Sequence, residues 1–134
     1  MPVETVTLQI PEIIYQRLVN TAVATQRSLE EVILQAIKVG SPPTWDDVPD
    51  EFQADIAALD KLDDNALWHI FHSRKTASDM ERYNILLEGN SNGTLTEAER
   101  LELMALRHEA DLFMLRKAQA GVLLRWRGHI VPTP

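Results

Sequence analysis

The chain has 134 residues, enough for one ordinary domain or two small ones, and 45% hydrophobic with 25% charged residues is the balance of a folded protein. It has no cysteine, which excludes disulfides and thiol catalysis, and no run near the roughly 18 apolar residues of a membrane-spanning helix. The net charge of −7 lies in one block, because residues 41–65 set eight acidic side chains against Lys61 alone. The last nineteen residues carry Arg116, Lys117, Arg125 and Arg127 with no acid. Blocks of opposite sign are expected to meet different partners. No signal-peptide pattern precedes Glu4, so a cytoplasmic location is expected.

Val6, Leu8 and Ile10 alternate with Thr5, Thr7 and Gln9, the period of a strand with one buried face. Pro11 then opens a helix, with Ile14, Leu18 and Ala22 spaced along its core side. After the turn Ala24–Arg27, Ser28 and Glu31 form a predicted capping box at the start of a second helix. Val32, Ile33, Ala36 and Ile37 give that helix its apolar face, and Gly40 stops it as a C′ residue. A lone strand is unstable, so its simplest partner is the same segment of a second copy.

These residues resemble the ribbon-helix-helix family of dimeric DNA-binding proteins, the fold of the Arc and MetJ repressors and of many antitoxins. The resemblance covers about the first 40 residues. It implies that Thr5, Thr7 and Gln9 read base edges, and that Arg27 and the helix start at Ser28 hold a phosphate. Gln26 stands where many family members have glycine, a position that carries a left-handed backbone if the turn needs one. Residues 1–40 have a net charge of −1, so phosphate attraction is weak unless the cations are well placed. The alternative reading keeps the ribbon as a dimerisation device only.

Ser41–Pro49, with Pro42, Pro43 and Pro49, reads as an acidic connector (residues 41–50) containing Trp45, Asp46 and Asp47. Residues 51–134 read as a helical domain. Phe52, Ile56 and Leu59 mark one short helix, and Leu67, Ile70 and Phe71 a second, capped near Asp63 and Asp64. Ser78 with Glu81 predicts a third helix start, the stretch Glu88–Gly93 a break, and Thr96 with Glu99 the start of the longest helix. That helix is expected to reach about Arg125, with Gly121 as a weak point. Leu101, Met104, Leu112 and Leu115 form one apolar stripe on it; Leu103, Leu106, Ala110 and Phe113 form another. Such a wide arc favours a partner contact.

Three weaker patterns remain. Residues 88–99 partly match a calcium loop, with glycine at the sixth position and glutamate at the twelfth, but neutral asparagines stand at two ligand positions. His69 and His72 have a metal-compatible spacing with no further ligands beside them. Arg125-Trp126-Arg127 offers an aromatic between two guanidiniums. No nucleophile–base–acid order or phosphate loop is present, so neither an enzyme nor a cofactor is expected.

The expected architecture is mainly α: an N-terminal ribbon-helix-helix (residues 1–40) whose strand pairs across a homodimer, and a C-terminal all-helical domain. The resemblance implies a repressor of antitoxin type that binds operator DNA and neutralises a toxin encoded nearby. The acidic run reads either as an imitation of a nucleic-acid backbone, which suits a nuclease toxin, or as a solvated, self-repelling linker. Trp45, Asp46, Asp47, Leu112, Leu115, Arg125 and Trp126 are the candidate partner contacts. The alternative is a homo-oligomeric adaptor that binds no DNA.

Overall fold

The computed structural model describes residues 2–133 and contains, among them, α-helices and a single 3-10 turn, with no strand. The expectation of a ribbon-helix-helix fold is therefore corrected: residues 2–11 form neither helix nor strand, and Val3, Val6 and Leu8 are exposed. Alternating side chains suit a strand, but no other segment among the described residues pairs with the backbone of residues 5–10.

The chain divides into two compact units, one ending at Ser41 and the other beginning at Pro42. The first consists of the N-terminal segment and two helices, α1 (Glu12–Thr25) and α2 (Leu29–Gly40), which pack on each other. Pro11 precedes α1, where its fixed φ and missing N–H cost nothing. Gln26 ends the helix in the left-handed region (φ 55°), and the Arg27 amide donates back to the Ala22 carbonyl. Ser28 caps α2 by accepting from the Glu31 amide at 3.1 Å. The predicted box is only half made, because the Glu31 carboxylate turns to Arg27 instead, 3.6 Å away. Gly40 is the last residue of α2 rather than a left-handed stop; Ser41 and the two prolines that follow end the helix.

The second unit is organised around α6 (Glu97–Trp126), which receives α3 (Asp50–Ala57), α4 (Asp64–His72) and α5 (Ala77–Asn92). Phe52 and Ile56 of α3 are buried, and the Phe52 ring stacks on His108 at 4.7 Å. Leu86 of α5 and Leu103 of α6 are buried in the helical hairpin these two helices form. Arg82 clamps the hairpin by donating to both Glu102 oxygens at 2.9 and 2.8 Å. The largest core joins Leu59 of the 3-10 turn (Ala58–Lys61), Leu67 of α4, Ala120, Leu123 and Leu124 of α6, and Val131 of the tail.

Several boundaries move from their predicted places. The cap of α5 is Thr76, in a reciprocal box with Asp79, two residues before Ser78. The helix then runs through the expected break to Asn92 and ends on left-handed Gly93. Gly89 is helical with Leu95 packed against it; a Cβ there would lie 2.6 Å from Leu95 Cδ2. Gly121 is no weak point. A Cβ there would meet the Phe71 ring at 2.9 Å, so its bareness is what lets α4 close on α6.

Candidate nucleic-acid and partner interfaces

Thr5, Thr7 and Gln9 are exposed in the N-terminal segment, and Ser28 is exposed at the start of α2. Arg27 is adjacent in sequence to that helix start, but its guanidinium is engaged: Nη1 donates to the Gln35 side chain and Nε faces Glu31. A phosphate at this helix start would compete with a carboxylate already in place.

The first unit has very little interior. Among its described residues only Ala22 and Val32 are buried, while Val6 is 73% and Leu8 69% exposed, and Ile14, Leu34 and Ile37 are about half exposed. A groove of about 210 Å³ on α1, lined by Ile14, Arg17, Leu18 and Thr21, is open along the same helix.

In the second unit the connector is folded rather than loose. The Val48 amide donates to the Trp45 carbonyl at 3.0 Å, and Gln53 Nε2 donates to the Val48 carbonyl at 3.0 Å. Trp45 is half-buried beside a hollow of about 210 Å³ that it shares with Pro42, Pro43, Asp46 and Asp60. Asp46 and Asp47 are exposed. Not all of the acidic block faces solvent as a uniform strip. Asp63 caps α4, accepting from the Ala66 amide at 2.8 Å, and Asp64 is held by the C-terminal tail.

That tail forms a polar clasp. Arg127 Nη1 donates to Asp64 Oδ1 at 2.9 Å and to the Leu62 carbonyl at 2.8 Å, while His129 Nε2 lies 2.7 Å from Asp64 Oδ2. The Arg127 hydrogen bond first, and the His129 contact second, hold the Asp64 carboxyl below its ordinary value. The clasp brings Val131 into the core and sets Trp68 edge-on to His129. Sequence spacing could not reveal it, since its partners lie more than 60 residues apart.

The other candidate contacts are scattered. Leu112 and Leu115 are half-buried in α6, whereas Leu101 and Met104 on the same predicted stripe are 60% and 65% exposed. Arg125 donates to the Val131 carbonyl at 3.4 Å, and Trp126 is half exposed at the end of the helix. Residues 88–92, the first half of the possible calcium loop, are helical, so they cannot wrap an ion. The His72 ring stacks on Trp68, and no three metal-binding side chains converge among the described residues. No family model, curated protein or solved structure matches this chain.

Proposed function

We propose that this protein is a homodimeric regulator of antitoxin type, in which residues 2–41 self-associate and contact operator DNA and residues 42–133 hold a protein partner. The observation that carries the reading is the coreless first unit. Residues 2–41, which among the described residues bury only Ala22 and Val32, lack the interior needed for independent stability. A second copy that covers Val6, Leu8, Ile14 and Ile37 supplies it. Thr5, Thr7 and Gln9, exposed in the N-terminal segment, are the side chains this unit offers to base edges.

The partner reading rests on the second unit. Asp46, Asp47, Glu51 and Asp55 are exposed carboxylates on one short stretch, suited to the basic groove of a nuclease. The exposed Leu101 and Met104 add apolar contact area on α6. A toxin encoded nearby is the first partner to test.

A specific observation favours the second reading, an adaptor that dimerises without binding DNA. Arg27 is occupied by Glu31 and Gln35, which removes the best-placed cation of a unit with net charge −1. Fluorescence anisotropy of full-length protein on its own upstream duplex, against a scrambled duplex at physiological salt, separates the two. Preference for the native duplex, lost in Thr7→Ala/Gln9→Ala with the dimer intact, is the regulator's result. Equal or absent binding to both duplexes is the adaptor's.

A further inference from the structure

Where α4 ends, the chain opens a cleft of about 320 Å³ lined by Phe71, His72, Arg74, Lys117, Pro132 and Thr133. Its construction follows from the packing of α4 on α6. Phe71 seats on Gly121, and Lys117, one turn earlier on α6, lines the same cleft. The Ser73 amide donates to the Ile70 carbonyl at 3.2 Å, and the chain then runs to the Thr76 cap, carrying Arg74 to the rim. The His72 imidazole is held flat on Trp68, with ring centroids 5.2 Å apart. Lys75 continues the basic edge, 5.4 Å from the Phe113 ring centre.

No aspartate or glutamate lines this cleft, and neither Arg74 nor Lys117 has an ion pair among the described residues. Two permanent cations therefore line one concave space in a chain whose net charge is −7. A single carboxylate balances one of them. A phosphate monoester, at about −1.5 to −2 near neutral pH, balances both and offers three acceptor oxygens to a guanidinium and an ammonium. The remaining walls, Phe71 and Pro132, are apolar and suit a flat body such as a nucleobase.

We propose that this cleft binds the phosphate monoester of a nucleotide, with Arg74 and Lys117 on the phosphate and Phe71 and Pro132 against the base or sugar. The site does not depend on the first unit, so it stands whether or not that unit binds DNA. The phosphate can come from a free mononucleotide or from the 5′ end of a strand.

Calorimetric titration of the full-length protein tests the site, with tryptophan fluorescence as a second readout because Trp68 backs His72. The probes are adenosine monophosphate, adenosine, inorganic phosphate, and an oligothymidylate with and without a 5′ phosphate. The expected result is saturable binding of the monophosphate at least tenfold tighter than of adenosine, weakened about tenfold by Arg74→Gln and again by Lys117→Gln. Monophosphate binding alone identifies a free nucleotide; preference for the 5′-phosphorylated strand identifies a strand end. Both positions are on the rim or half-buried, and unchanged melting of either variant confirms that folding is intact. Three results overturn the proposal: no saturation by either phosphorylated probe, binding that neither variant weakens, or equal binding of the strand lacking the 5′ phosphate. Binding of a glutamate-rich peptide that depends on Arg74, with the monophosphate inert, assigns the cleft to an acidic protein instead.

Discussion

At the scale of single residues, two positions carry backbone or packing demands that their side chains answer in opposite ways. Gln26 sits at φ 55°, a conformation that L residues with a Cβ adopt at a cost. Gln26→Gly removes that strain and should raise the stability of the full chain by about 0.5–1 kcal/mol in urea unfolding, less any added freedom of the unfolded chain. Gly121 is the reverse case. A methyl group there meets the Phe71 ring at 2.9 and 3.0 Å, inside a core that includes Ala120, Leu123 and Leu124. Gly121→Ala should therefore destabilise the second unit by about 1–3 kcal/mol despite the better helix propensity of alanine. A rise in melting temperature would show that the Phe71 contact does not govern the packing of α4 on α6.

At the scale of elements, the helix starts and the tail clasp are held by ionised carboxylates. Asp79 and Glu99 accept from the Thr76 and Thr96 amides, Glu102 accepts from Arg82, and Asp64 accepts from Arg127; each carboxyl is held below its ordinary value. Groups lowered in this way favour the folded state while they remain charged. Their contribution is complete above the ordinary values, 3.8 for aspartate and 4.5 for glutamate, and disappears as pH falls through the lower folded values. The urea midpoint should hold level above this range and decline below it, and Asp64→Asn should flatten part of the decline. A midpoint independent of acid pH would remove the clasp from the account. Thr96→Ala, which removes the hydroxyl that accepts from the Glu99 amide and keeps the Thr96 amide that donates to the Glu99 carboxylate, should cost about 1 kcal/mol.

Local chemistry made some of these elements readable before the structure was known. Ser28 and Thr96 cap helices where the serine–glutamate and threonine–glutamate spacings place them. The Thr76 cap was hidden because Ser78 with Glu81 has the same spacing; in the structure the reciprocal box forms between Thr76 and Asp79. Glu88–Gly93 reads as a break by composition, yet the helix runs on to Asn92, with Leu95 packed in the space a Cβ on Gly89 would take. The N-terminal strand failed for a different reason. Alternation specifies which side chains share a face, but a ladder needs a second backbone, and none among the described residues supplies it. The clasp among Asp64, Arg127 and His129 and the cleft beside Phe71 were illegible because they join distant segments that meet only through packing on α6.

At the scale of the whole molecule, the two units differ in how complete they are. The second closes its own core through α6, whereas the first leaves Val6, Leu8, Ile14 and Ile37 uncovered. Self-association through residues 2–41 answers that difference, and it predicts that Leu8→Glu or Ile37→Glu splits the assembly while leaving the second unit folded. Urea unfolding of such a variant should retain the transition of residues 42–133 and lose the concentration dependence of the other.

Sedimentation equilibrium of the full-length protein at micromolar concentration tests this claim most directly. The account predicts a particle of twice the 15.2 kDa chain mass, reduced to one chain by Leu8→Glu. A single 15.2 kDa species whose first unit is nonetheless cooperatively folded would contradict it.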